Sequence, residues 1–523
     1  MATSYPELVW TQTSPGTWQR SIDEVEEFYA AMPVLYEGSG LMFFAITGHV
    51  SLTFDTTGTS GSSDATQRVD EALKSAWLAL RHDHPTIASQ VTRDLTTGKW
   101  LKTYHQLKDE AEQQSWINKT LVPISTGQTG VEWANSQPPA PKIPTLFILS
   151  PPTTATNIIR RDLVLRRDLV LRSPHDIIDG IGTLTLLNNL ITHASKAFSS
   201  PNTPSALSFT GSEAANLSPP YRIAANVPST LTESQTARLA TMAAQKTAAM
   251  TPPPGTQLID MPYRRGHLLP GRHQRVAITL TQDQTARLTT ACKSAGATVT
   301  HAFHAAIALV VRDIQPPSAR APQTKRMRYV NYILRNERAS CQPPYNSSKH
   351  PAALYHSVPG QSLVVDMDLP ALDDDDANAK PTSDKDEFLP VVQIMKDFYH
   401  SVKDDKEHYA LASIIWAAGN PTVPLSSTPP PVPPPKEHPS VSISSMGRVD
   451  GIIAPKTGAI EAYDPWVTGE ELGNGLGLFL GTFRGELCLS AAYNDAWHTE
   501  AVVLDFLRRC KDVVFRGFGL SNE

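Results

Sequence analysis

The stretch Leu169-Val170-Leu171-Arg172-Ser173-Pro174-His175-Asp176-Ile177-Ile178-Asp179-Gly180, continued by IGTLTLLNNLITHAS, decides how the chain reads. The apolar run before Ser173-Pro174 predicts a strand with a histidine at its tip. An aspartate follows four residues later, and Gly180 lets the chain turn into a helix. Leu184, Leu187, Leu190, Ile191 and Ala194 recur at helical spacing, so that helix has one apolar face for a core. A histidine at a strand-to-helix junction is rigidly held yet opens onto a cleft, as a general base requires. The competing reading is a plain loop histidine beside a helix N-terminal aspartate favoured by the helix dipole. Features elsewhere in the chain weigh towards the base.

Composition narrows the class. At 523 residues the chain exceeds one ordinary core, and two large domains are expected. With 40% hydrophobic and 19% charged residues it has the make-up of a soluble globular protein. A net charge of −5 and a pI near 6.4 give no electrostatic ground for a nucleic-acid or anionic-membrane partner. Cys292, Cys341, Cys488 and Cys510 are widely spaced, with no CxxC and no secreted disulfide framework, so they read as reduced thiols. MATSYPELVW lacks a basic-then-apolar leader, and runs such as AFHAAIALVV are too short to span a bilayer. The expectation is a cytoplasmic, soluble monomer.

Around the motif, strands alternate with long helices. SIDEVEEFYAAM opens with a Ser21–Glu24 capping-box pattern, and GLMFFAITGHVSLTF reads as a strand. ATQRVDEALKSAWLALRHD carries Val69, Leu73, Ala76, Trp77 and Leu80 at helical spacing, and KWLKTYHQL and IPTLFILSP are further strands. RRDLVL occurs twice, at 160–165 and 166–171. Six is even, so the repeat preserves which side chains face which side of a strand. A Ser/Thr/Pro/Ala-rich connection precedes the strand QRVAITLT and the helical stretch TARLTTACKSAGATVTHAFHAAIALVVRDI, broken near Gly296. YVNYILRNER reads as a strand through Arg338. SVSISSMGRVDG reads as a strand ending at Gly447, and LGLFLGTFRGELCLSAAYND as a hairpin turning at Arg484-Gly485. A last helix places Val502, Phe506, Leu507 and Cys510 on one face. Residues 1–215 are thus expected to form an N-terminal lobe, 216–260 a linker with one helix, and 261–523 a C-terminal lobe. Two insertions, an acidic one (366–387) and a proline-rich one (421–439), are expected to be solvated loops.

The His-x-x-x-Asp-Gly of His175–Gly180 resembles the central motif of the chloramphenicol-acetyltransferase-like, or HxxxDG, acyltransferase superfamily. This includes plant BAHD enzymes, condensation domains of peptide synthetases and fungal O-acetyltransferases of the trichothecene type. The helix ending at His84-Pro85, the phrase ACKSAGATVTHAFHAAIA and the terminal strand, hairpin and helix carry the same likeness. The resemblance implies a two-lobed α/β fold, each lobe a mixed β-sheet packed with helices, with an active-site channel between them. It implies that His175 is the base and that Asp179 points away from substrate and braces the loop through an arginine. Where many condensation domains place a second histidine, this chain has Pro174, and the DFGWG of plant members is absent.

Acyl transfer from a thioester to an alcohol needs a base, an oxyanion donor and two substrates held close. No GxSxG elbow is present, and none is needed when the donor is already activated. Ser444 and Ser445, in the strand SVSISSMG, are the candidate oxyanion donors. Arg338 and Arg335 are the candidate partners of Asp179, with Arg338 preferred because Asn-Glu-Arg resembles the superfamily's Asn-x-Arg. The basic cluster Arg264, Arg265, Arg272, His273 and Arg275 is a candidate for coenzyme A phosphates, although solvated linker charge is the better account of it. Gly473, Gly475 and Gly477 precede a strand, so they suit a tight turn better than a phosphate loop. No metal is expected: four consecutive aspartates cannot converge on one ion, and His301 and His304 lack a third ligand. The expected activity is an acyl-CoA-dependent O-acyltransferase, acetyl by default, acting on a hydroxyl of a secondary metabolite. Acyl-CoA would be the co-substrate, a small molecule the acceptor, and no cofactor would be permanently bound. The alternatives are condensation-type transfer from a carrier protein, cyclisation or C–C bond formation in the same cleft, and a non-catalytic scaffold.

Overall fold

The computed structural model describes residues 5–41, 45–57, 62–150, 164–200, 209–316, 324–370 and 385–521. The motif strand, Val164–Pro174, lies inside a six-stranded sheet, antiparallel to both Ala45–Asp55 and Thr145–Leu149. Leu169 and Leu171 enter the main core of this lobe, while Val170 packs with Trp133 and Phe147 on the other face. Burial on both faces explains the uninterrupted apolar run. The second RRDLVL copy lies wholly in this strand, which begins with Val164 and Leu165 of the first; residues 160–163 lie outside the described residues.

The motif helix, Gly180–Ser199, is capped by Asp179, whose side chain accepts from the Gly182 amide at 2.7 Å. Its apolar face, including Leu184, Leu187, Leu190, Ile191 and Ala194, packs with the core of this lobe, to which the helix Ser62–Asp83 contributes. The glycine that this entry requires is Gly182 and not Gly180. A Cβ on Gly180 would meet Met446 and Val467 at ordinary contact distance, 3.6 Å. On Gly182 it would stand 2.1 Å from the Pro351 carbonyl oxygen, a backbone atom. Gly182→Ala is therefore expected to cost about 3 kcal/mol of stability and Gly180→Ala less than about 1 kcal/mol. Urea unfolding of the two variants checks this, and equal losses would contradict it.

The N-terminal sheet is completed by a segment from far along the chain. Ile460–Gly469, the crossover strand, pairs antiparallel with Ala45–Asp55, and Lys456–Thr457 adds the outermost strand. The two halves of the sequence are thus interleaved. The connection at 216–260 holds two helices, Tyr221–Ala224 and Glu233–Met250, and a short strand, Thr256–Leu258, parallel to Lys325–Asn331.

The second lobe is built on a four-stranded sheet ordered His273–Leu280, Glu486–Asn494, Leu476–Phe483, Val441–Arg448. One face, with Leu478, Leu480, Leu489 and Ala491, packs on a core to which the helices Gln282–Ser294, Val299–Asp313, Lys385–Asp404 and Glu500–Gly517 contribute. The other face, with Arg275, Phe479, Ser490 and Ala492, lines the space between the lobes. Arg484 and Gly485 both take positive φ (50° and 79°), as the tight hairpin turn demands. His301 and His304 are buried in this lobe, and the His304 ring lies 3.2 Å from the Tyr399 hydroxyl.

Several expectations are corrected. The first long helix, Glu24–Tyr36, is capped by Asp23 with Glu26, because Ser21 is taken up as the last residue of the strand Thr17–Ser21. In the last helix Val502 is 50% exposed. Val503 replaces it on the buried face, three and four residues from Phe506 and Leu507. YVNYILRNER is not one strand: Lys325–Asn331 ends before Arg335–Asn336, and Arg338 opens a 3₁₀ turn. Asp366 and Asp368 of the acidic stretch lie in the strand Leu363–Leu369 and pair with Arg328 and Arg326, while 371–384 lie outside the described residues. The proline-rich segment is a strap between lobes. Arg93 donates to the carbonyls of Val423 and Pro424 at 3.1 and 3.0 Å, and the Lys436 amide donates to Asn474 at 2.9 Å. All four cysteines are free. Among the described residues no single helix is long and apolar enough to cross a membrane.

Buried histidines govern the response to acid. Burial, the largest cause in each case, lowers His84 and His301 to about 4 and His175, His273 and His304 to about 3. Unfolded histidine titrates near 6.5, so between about pH 6 and 4.5 the unfolded chain binds about five protons that the folded one does not. Asp23 and Asp176 act oppositely, because burial raises them to about 7 and about 6 and the folded state keeps their protons. The balance of about three protons lowers stability by about 4 kcal/mol per unit of acidification across that window. Urea unfolding at pH 7, 6 and 5 checks the sign; stability that holds or rises on acidification would contradict it.

Candidate active site

His175 stands immediately after the motif strand, in a turn where the Ile177 amide donates to the Pro174 carbonyl at 3.3 Å. The loop is braced from behind. Lys102 donates to the Asp176 carbonyl at 2.8 Å and to Glu26 at 2.7 Å, and Arg20 grips Glu26 through two bonds of 2.7 Å. In front, the Tyr29 ring stacks on His175 with centroids 3.9 Å apart and planes 21° apart. His356 lies 5.9 Å away, and Trp416 meets the His356 ring edge-on at 5.7 Å. Burial, helped by the charge of His356, pushes the His175 imidazole down to about 3, against a smaller opposing pull from Asp179. The ring is neutral throughout the working range of pH.

Asp179 is bonded to the protein through both carboxylate oxygens. Its Oδ2 accepts from Arg338 Nη1 at 2.9 Å and from the Tyr355 amide at 3.0 Å. Its Oδ1 accepts from Arg338 Nη2 at 3.0 Å as well as from Gly182. Burial alone would raise this carboxyl; Arg338 and His356 outweigh it and hold the group well below the usual carboxylate range. Arg335 also lines the cavity but pairs with Glu337, at 3.1 Å, and donates to the Val402 and Asp405 carbonyls.

His175, Asp179 and Gly180 line a cavity of about 490 Å³. Ser444 and Ser445 line it from the second lobe, but the Ser445 hydroxyl is bonded to Thr300 at 2.9 Å. Neighbouring strand positions point to opposite faces, so Ser444 is the one on the inward side, with Ser442. The proline-rich strap contributes Lys436 and Pro439 to the wall. Gly475 permits a close approach, since a Cβ there would lie 2.6 Å from the Ser440 carbonyl oxygen.

None of Arg264, Arg265 and Arg272 lines this cavity. Arg264 donates to the Asp495 carbonyl, Arg265 to the Tyr263 hydroxyl at 2.6 Å, and Arg272 pairs with Asp495 at 2.9 Å. Tyr29, His356 and Trp416 are absent from the sequence reading, because nothing in their local spacing marks them.

No family model matches the chain. Over 99% of this chain and all of the other, the structure superposes on the trichothecene 15-O-acetyltransferase TRI3 of Fusarium sporotrichioides with a TM-score of 0.76 and 17% identity. A condensation domain of the calcium-dependent antibiotic synthetase gives 0.54 at 12% identity, covering 94% of each chain. These likenesses show the fold. In sequence, the chain is 25% identical to acetyltransferase pigO of Monascus ruber over 99% of both chains. It is also 25% identical to O-acetyltransferase pigM of the same organism, over 97% of this chain and 87% of the relative. The chain shares the two-lobed fold of the superposed proteins. Within this two-lobed architecture, His175, Asp179 and Gly180 share a cavity with Val467 of the crossover strand and Phe479 of the second-lobe sheet. His175 is preceded by Pro174, unlike the paired histidines of many condensation domains.

Proposed function

We propose that the protein transfers an acyl group, acetyl in the first instance, from a coenzyme A thioester to a hydroxyl of a secondary metabolite. The observation that carries this reading is a neutral, rigidly held His175 facing a cavity built from both lobes. The acceptor hydroxyl gives its proton to His175 as its oxygen attacks the thioester carbonyl. The tetrahedral adduct collapses with cleavage of the C–S bond, and the imidazolium returns the proton to the departing thiolate. In this reading Ser444, which lines the same cavity, donates to the oxyanion. A base lowered to about 3 is weak at equilibrium, so proton transfer accompanies C–O bond formation and does not precede it. The two curated relatives named as acetyltransferases support an O-acetyl product and a place in secondary metabolism.

The test is free-thiol release from acetyl-CoA, with wild type against a panel of hydroxylated polyketides and terpenoids. Release that depends on an acceptor is expected. Binding of acceptors with no release from any acyl-CoA would overturn the reading and turn attention to a carrier-bound donor.

A further inference from the structure

A second cavity, of about 450 Å³, lies between the crossover strand and the other half of the second-lobe sheet. It shares Met446, Val467 and Phe479 with the cavity at His175, so these three side chains form the partition between two neighbouring compartments. Arg275 lines the second compartment from the strand His273–Leu280. Thr279, four residues along the same strand, and Ser490, opposite Ala277, share its face.

Arg275 is a buried cation whose charge the described residues leave without a close counter-ion. It is 4% exposed, and its guanidinium lies 4.4 Å over the Trp466 ring. Its Nη2 reaches only the Cys488 sulfur, at 3.8 Å, a thiol that burial keeps protonated. Its Nε has no acceptor, and among the described residues no carboxylate comes within 4.0 Å of it. The other buried arginines are satisfied differently. Arg20 meets Glu26, Arg172 meets Glu470, Arg312 meets Asp313 and Glu387, and Arg81 donates to the His105 carbonyl. Asp464 lines the same compartment, but its carboxylate is more than half exposed and turned to within 4.0 Å of His49. Burying a charge without a counter-ion is strongly unfavourable unless something supplies the partner.

We propose that Arg275 anchors an oxyanion, a phosphate or carboxylate group, of a ligand that occupies the second compartment and extends past Phe479 towards His175. The planar guanidinium pairs with such groups through two parallel bonds, and the Trp466 stack fixes its plane. Of the basic cluster between Arg264 and Arg275, only Arg275 faces inward to a cavity; the three surface arginines are engaged by Asp495 and Tyr263. A phosphate would come from coenzyme A, which rests on the acyl-CoA reading above, and a carboxylate from an acidic acceptor.

Calorimetric titration of the full chain with coenzyme A, inorganic pyrophosphate and citrate tests this in wild type, Arg275→Met, Arg275→Lys and His175→Ala. Arg275→Met is expected to raise the Kd of at least one probe 10-fold or more, Arg275→Lys to restore part of it, and His175→Ala to leave it within two-fold. Sensitivity to coenzyme A and pyrophosphate assigns the anion as phosphate; sensitivity to citrate alone assigns it as carboxylate. In wild type, phenylglyoxal modification mapped by mass spectrometry should show Arg275 protected by the same probe, which needs no folded variant. No binding of any probe, Kd values unchanged in Arg275→Met, or no protection of Arg275 would overturn the inference. Binding at Arg275 without acyl release from any donor would instead overturn the transferase reading alone.

Discussion

His175→Ala is expected to lower acyl transfer by about 10²- to 10⁴-fold while leaving the melting temperature within about 2 °C. The side chain caps no helix, its turn is held by backbone bonds and by Lys102, and its ring faces a cavity. The loss should therefore fall on kcat and spare binding. Because the imidazole is already neutral far below pH 6.5, the wild-type rate should show no acid limb from this residue between pH 8 and about 5. Thiol release from acyl-CoA across that range measures both. Turnover within a few-fold of wild type in His175→Ala, with an authentic acceptor, would remove His175 from the chemistry.

Asp179→Ala is expected to cost about 4 kcal/mol of folding stability and most of the activity. The substitution strips Arg338 of a bidentate partner, the Tyr355 amide of its acceptor and the motif helix of its cap. Arg338→Met leaves the opposite defect, a buried carboxylate without its cation. The double variant should recover part of the sum, giving a coupling of about 2 kcal/mol or more in a double-mutant cycle by urea unfolding. The contribution of a carboxyl held low in the fold is complete above the unfolded value near 3.9 and disappears only as pH falls through the folded one. The gap between wild type and Asp179→Ala should thus be the same at pH 8 and pH 5. A gap below about 1 kcal/mol, or additive single effects, would show that the pair does not hold the loop.

What could be read in the sequence was local. Strand, histidine, aspartate and apolar-faced helix fall within some thirty residues, and each leaves a periodic or capping signature. Arg338 stands out over Arg335 only through a resemblance, since a single strand through Arg338 is not what forms: the backbone breaks after Asn331. Tyr29 and His356 approach His175 across separations in sequence of more than a hundred residues, Trp416 meets His356 rather than His175, and such encounters leave no pattern in one chain. The basic cluster was visible as charge, but whether each arginine faces out or in depends on strand register against Glu486–Asn494. Gly180 drew notice as part of the motif. The steric need belongs to Gly182, because what crowds it is a carbonyl from residue 351.

The crossover strand also sets a timetable for synthesis. Until Ile460–Gly469 emerges from the ribosome, Ala45–Asp55 is a bare sheet edge, long and flanked by apolar residues. Some 400 residues separate the two, so at about 5–20 residues per second the nascent chain carries an unpaired edge for about 20–80 s. For that interval the first lobe depends on whatever shields such edges in the cell, and its sheet closes only once Ile460–Gly469 has been made.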